Sequence, residues 1–290
     1  MNLWQQYLRP RSILEAIQAL SSSPGAAVPI AGGTDLLLDL QQGRHAPVHT
    51  LIDLTTIPEL TQLELRQETL FIGAAVPLNR IARHPLVGGH AQALVEACDL
   101  VGGPQVRNVA TLGGNVAHAL PAADGTIALL ALDAQAEIAD SAGLRRVPLS
   151  DLFLGPGKSA LKRGEELLVG FTLPLMEAQQ ASCFKRIMRP QGVALPIINL
   201  AVQLSRRKNT VEDIRIAVGP GAAIPWRAVH AEQALRGKSL DPASRDGGLE
   251  ALLAHVGFRS SPLRASSEYR RHLVGSLFTD TLETAWNRAG

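Results

Sequence analysis

Two glycine-rich turns, far apart in the chain, constrain this sequence most. They are Ala31-Gly32-Gly33-Thr34-Asp35-Leu36 and Thr111-Leu112-Gly113-Gly114-Asn115. Adjacent glycines let backbone approach a ligand closely and take positive φ at little cost. Successive exposed N–H groups in such a turn form a concave nest for an anion. One such turn is weak evidence, because Gly-Gly also marks ordinary loops. Two in one chain suggest the two sides of a clamp around a diphosphate, and so a dinucleotide ligand.

The bulk numbers narrow the setting. At 290 residues and 46% hydrophobic, the chain is long enough for two or three packed units. A formal net charge of +2 gives no field that points to nucleic acid or an anionic membrane. No apolar run approaches the roughly 18 residues of a membrane helix, and the N-terminus lacks the apolar core of a signal peptide. Cys98 and Cys183 are the only cysteines, too few for a disulfide framework or a cluster. A reducing, cytoplasmic setting is expected.

Ser12-x-x-Glu15 is a capping box that opens a helix, with Ile13, Leu14, Ile17 and Leu20 expected on its apolar side. Residues 28–31 read as a strand feeding the first glycine turn, 36–40 as the helix leaving it, and 50–54 as another strand. A hairpin follows at 63–65 and 70–72, then helices at 78–83 and 91–100. Beyond the second glycine turn come a helix at 126–132 and a strand at 134–138. The texture then changes: strands at 183–187, 197–204 and 214–218 precede helices at 228–235, 249–254 and 268–288. Strands followed by helices indicate a separate α+β layer domain.

Several familiar motifs are absent. Neither glycine turn is the Gly-x-Gly-x-x-Gly of a Rossmann site. Gly157-Lys158-Ser159 imitates the tail of a Walker A loop, but its leading glycine position is Leu152. No Gly-x-Ser-x-Gly elbow occurs. His45, His49, His84, His90 and His118 show no zinc-ligand spacing, which leaves surface or capping roles. Around the second turn, Thr111 and Asn115 offer hydroxyl and amide contacts. Asp124 has two even readings on spacing alone: an acceptor for sugar hydroxyls or a base amine, or the cap of the helix opening at Thr126.

Together these residues resemble the FAD-binding domain of the molybdenum hydroxylases. In that family it is the medium flavoprotein subunit of xanthine, carbon monoxide, nicotinate or aldehyde dehydrogenases. The resemblance runs from Tyr7-Leu8-Arg9-Pro10 to Ala265-Ser266-Ser267-Glu268-Tyr269-Arg270-Arg271, essentially the whole chain. It implies an α+β fold: two FAD-binding subdomains of PCMH-like type at 1–56 and 57–176. A C-terminal α+β domain of the CO dehydrogenase flavoprotein type follows at 177–290.

The resemblance also implies a non-covalent FAD site. Pro29, Ile30, Ala31, Gly32, Gly33, Thr34, Asp35 and Leu36 should wrap the pyrophosphate from one side. Thr111, Leu112, Gly113, Gly114 and Asn115 should wrap it from the other. Asp124 falls where the family holds the adenosine half, and Val101 where it packs on the adenine. Leu168 and Lys185 fall where it meets the isoalloxazine, and a cation there would raise the flavin potential. No side chain is expected to act as catalytic acid or base.

Molybdopterin and 2Fe-2S clusters are implied only on partner subunits, a large and a small one, in a dimer of heterotrimers. Electrons would pass from the clusters through FAD to NAD or another acceptor. Two departures stand out. Relatives that reduce NAD often carry acidic residues after the arginine matching Arg189; Arg189-Pro190-Gln191-Gly192-Val193-Ala194-Leu195 has none. With two separated cysteines, the extra iron–sulfur insert of some benzoyl-CoA reductase relatives is ruled out. The residues alone leave two other readings open: a self-sufficient FAD oxidoreductase with its own substrate, or a non-redox nucleotide-binding assembly factor.

Overall fold

A computed structural model describes residues 2–189, 195–262 and 264–290. The chain opens with β1 (Gln6–Leu8), α1 (Ile13–Ser22), β2 (Ala27–Ile30), α2 (Leu36–Gln41) and β3 (Thr50–Asp53). The three strands form a parallel sheet with β3 in the middle. Parallel central strands are covered on both sides, and all four residues of β3 are buried. The Ser12 hydroxyl caps α1 by accepting from the Glu15 amide at 3.2 Å. Ala16, Ile17 and Leu20 are buried on its inner face, but Leu14 is 65% exposed. At about 100° per residue, Leu14 is turned away from the stripe that Ile13, Ile17 and Leu20 share.

The middle of the chain contributes α3 (Pro58–Thr61), β4 (Leu63–Arg66), β5 (Thr69–Gly73), α4 (Leu78–Ala82), α5 (Pro85–His90) and α6 (Gln92–Leu100). It continues with α7 (Pro104–Arg107), α8 (Leu112–Ala117), α9 (Asp124–Ala131), β6 (Gln135–Asp140) and β7 (Gly143–Pro148). The short β8 (Phe153–Gly155) and β9 (Lys158–Ser159) precede β10 (Leu167–Pro174). β10 comes last in sequence yet joins the two hairpins, giving an antiparallel sheet ordered β4-β5-β10-β6-β7. Its first seven residues are buried, as a central strand requires.

The remainder is β11 (Gln180–Ile187), β12 (Ile198–Arg207), β13 (Thr210–Gly219), β14 (Trp226–Arg227), α10 (Val229–Leu235), α11 (Pro242–His255) and α12 (Ser267–Arg288). The four strands run as an antiparallel meander in sequence order. One face, with Cys183, Leu200, Val202 and Ile216, packs on Val274, Phe278 and Leu282 of α12. The opposite face, with Phe184, Ala201 and Ala217, joins the core of the middle unit. α9 lies between the two sheets, and all eight of its residues are buried. A helix apolar all round is stable only when covered on every side.

Candidate functional site

The two glycine turns meet in space. A Cβ on Gly32 would stand 2.1 Å from the Val109 carbonyl oxygen, so glycine lets the first turn lie directly on the chain entering the second. Gly33 adopts φ +67°, the left-handed region that glycine supplies cheaply. Between the turns opens a cleft of about 490 Å³, within the usual range of roughly 300–1,000 Å³ for ligand sites. Pro29, Ile30, Ala31, Gly32, Gly33, Thr34, Asp35 and Leu36 all line it. Among the described residues, no protein acceptor meets the amides of Gly32, Gly33, Thr34, Asp35 and Leu36. The first turn therefore offers free donors to an anion.

The second turn is built differently. It is the start of α8, and its amides are already used within the protein. Leu112 donates to the Val76 carbonyl at 3.2 Å and Gly113 to the Ala74 carbonyl at 2.8 Å. The Gly114 amide donates to the Thr111 hydroxyl at 3.1 Å, making Thr111 the helix cap. Thr111, Gly114 and Asn115 line the cleft. Leu112 and Gly113 are buried behind it. A Cβ on Gly113 would sit 2.6 Å from Ala74, whereas one on Gly114 would meet only the Thr111 hydroxyl, at 3.2 Å. This turn is a wall that permits close approach; it is not a second nest.

Asp124 lines the cleft, in the first turn of α9, but it does not cap that helix. Asn115 does so instead: its Oδ1 accepts from the Thr126 amide at 3.2 Å. The Asp124 carboxylate is committed on both oxygens. Oδ2 accepts from Arg186 Nη1 at 2.5 Å and Oδ1 from Asn199 Nδ2 at 2.6 Å. Burial pushes its carboxyl above the ordinary value, opposed by the Arg186 guanidinium and the Asn199 amide.

Val101 also lines the cleft, beside Gly102. Arg107 braces that stretch by donating to the Gly102 carbonyl at 2.8 Å.

Two expected residues stand elsewhere. Leu168 is a core residue of β10, paired in register with Ile138 and 5% exposed. Lys185 faces α12, and its Nζ donates to the Asp280 carbonyl at 3.1 Å. Side chains alternate along a strand, so the residue of β11 that reaches the cleft is Arg186. Phe184 and Arg186, two residues apart, share one face of β11 and Lys185 takes the other, which was the signal available for this. His118, the C-cap residue of α8, also lines the cleft, in keeping with the capping role expected of it. Residues 190–194, which hold most of the segment lacking acidic side chains, lie outside the described residues. Among the described residues no cluster of three or more His, Cys, Asp or Glu side chains is placed to hold a metal.

A cleft with a nest of free amides on one lip and a glycine wall on the other fits a dinucleotide. The chain belongs to the family of FAD-binding subunits of molybdopterin dehydrogenases. Residues 3–176 match the FAD binding domain in molybdopterin dehydrogenase, and 182–285 the CO dehydrogenase flavoprotein C-terminal domain. The chain is 32% identical to the xanthine dehydrogenase FAD-binding subunit of Escherichia coli O157:H7, covering 98% of this chain and 97% of that one. It is equally 32% identical to the nicotine 6-hydroxylase medium subunit of Paenarthrobacter nicotinovorans, over 98% of each. In structure it is similar to a chain of the carbon monoxide dehydrogenase from Hydrogenophaga pseudoflava in the form that lacks the Mo-pyranopterin moiety. That match has a TM-score of 0.94 and 29% identity over the full length of both chains. The protein is thus an oxidoreductase subunit, a flavoprotein whose cofactor is FAD. Among the described residues, no helix is long and apolar enough to cross a membrane.

Proposed function

We propose that this chain is the electron-transfer subunit of a cytoplasmic molybdenum hydroxylase. It takes electrons that a small 2Fe-2S subunit relays from a large molybdopterin subunit, and hands them to NAD or another acceptor. The subunits assemble as a dimer of heterotrimers. The observation that carries this reading is the cleft where both glycine turns meet, in a chain matched end to end by FAD-binding and medium subunits. The three larger sheets, of three, five and four strands, support a division at 1–56, 57–176 and 177–290.

Bound FAD supplies the exchange between single electrons and electron pairs. The chain's own residues position it. The free amides of residues 32–36 face the diphosphate, and Gly114 lets it approach the opposite wall. Val101 and Gly102, braced by Arg107, flank the adenine. Asn115 fixes the first turn of α9 so that the wall keeps its shape. Among the described residues, none that lines the cleft forms an acid–base pair aimed at a substrate, which fits chemistry carried by the cofactor.

The test is purification of the tagged chain from its native host, with metal analysis. Molybdenum and iron should co-purify on two further subunits. A chain that purifies alone, free of both metals, would contradict the assembly.

A further inference from the structure

Arg186 is the one buried cation that β11 turns toward the cleft, and its hydrogen bonding is incomplete. It stands directly across from Asn199 in the β11–β12 register, so the two share the face that looks at α9. Its side chain is only 5% exposed. A guanidinium carries five N–H donors. Nη1 donates to Asp124 Oδ2. Nη2 meets the Met188 thioether at 3.1 Å, a weak acceptor. Nε is buried with no partner. Buried donors without acceptors are costly, and a side chain kept in that state at the wall of a ligand cleft is matched to an acceptor that arrives with the ligand.

The opposite lip explains what that acceptor is. The first turn contributes backbone amides and the side chains of Thr34 and Asp35 but no cation, whereas FAD carries electron-rich oxygens on its diphosphate and on the carbonyl edge of its ring. Asp124 is then an orienting group. Its second oxygen is pinned by Asn199, whose Nδ2 also donates to the Ala122 carbonyl at 3.1 Å. The carboxylate cannot swing away, so the guanidinium is held in place.

Resting on the reading of this chain as the FAD carrier, we propose that Arg186 donates to an oxygen of bound FAD, with Asp124 and Asn199 as its positioning residues. Lys185, one residue earlier, has no part in this, because it faces α12.

The test uses the full-length apo-protein titrated with FAD and separately with ADP, together with the reduction potential of the loaded protein. The double variant Arg186→Met/Asp124→Asn removes both buried charges and leaves no lone carboxylate. It is expected to bind FAD about tenfold to a hundredfold more weakly, the range of one charge-assisted hydrogen bond. A parallel loss of ADP affinity assigns the contact to the diphosphate. Unchanged ADP affinity with a lowered potential assigns it to the ring.

Arg186→Lys keeps a cation beside Asp124 but loses the planar fork, and is expected to bind FAD several-fold more weakly. It decides the question alone should the double variant not fold. Wild-type affinity and potential in the folded variants would overturn the proposal. Failure of the wild-type chain itself to take up FAD would instead overturn the reading on which it rests.

Discussion

Gly32, Gly113 and Gly114 are glycine for different reasons, which their surroundings separate. Gly32 and Gly113 face protein backbone at distances no Cβ tolerates, so they serve the fold. Gly114 faces the cleft, where a Cβ would press only on the Thr111 hydroxyl, at 3.2 Å, so it serves the ligand. Gly113→Ala is therefore expected to cost about 1–3 kcal/mol of stability through overpacking. Gly114→Val should leave the fold intact and abolish FAD retention, because its methyls project where the diphosphate must approach. Thermal melts and the FAD-to-protein ratio check both variants. A Gly114→Val protein that keeps a full complement of FAD would show that the second turn is not a cofactor wall. The same resolution applies to Lys185 and Arg186: one step along a strand moves a charge from one face of the sheet to the other.

At the scale of elements, Asp53 at the end of β3 gathers the first sheet. It accepts from the Tyr7 hydroxyl of β1 at 2.9 Å, from the Thr55 hydroxyl at 2.6 Å and from the Thr55 amide at 2.9 Å. Burial pushes its carboxyl up, but the Thr55 hydroxyl and amide, Tyr7 and Arg9 together bring it below the ordinary value. A depressed carboxyl contributes stability that is fully present above its unfolded pKa and lost as pH falls through the folded one. Asp53→Asn is expected to flatten that acid-side loss, read from denaturation midpoints between neutral pH and the acid limb. An unchanged acid limb would remove Asp53 from the account.

Elements with strong periodicity were legible in the sequence: α1, β3, the β4–β5 hairpin, and the strands and long helix of the C-terminal part. Three kinds of information were not. The second glycine turn is helical because Thr111 caps it and residues 74–76 accept its amides, contacts that no local pattern encodes. β10 was missed because its place at the centre of a sheet depends on pairing with strands far away in sequence. The cleft's membership from Pro29 to Leu36 was legible from the glycines and the resemblance. The Arg186–Asp124–Asn199 cluster was not, since it joins residues 62 and 75 positions apart across two units.

Across the whole molecule, the third sheet is locked onto the middle unit. Arg288 near the end of α12 pairs with Glu96 of α6 at 2.6 Å, while Glu96 also accepts from the Phe184 amide at 2.7 Å. The Ala93 amide donates to the Ser182 hydroxyl at 3.0 Å. These ties, with α9 buried between the sheets, set β11 against the wall that the glycine turns begin. The cleft is consequently lined from all three parts of the chain, and its ligand should report on the integrity of the whole. The most direct measurement is the visible absorption spectrum and flavin stoichiometry of the purified full-length protein. The account predicts a bound flavin spectrum with one FAD per chain, released intact on denaturation; a protein that is colourless and remains so after incubation with FAD would contradict it.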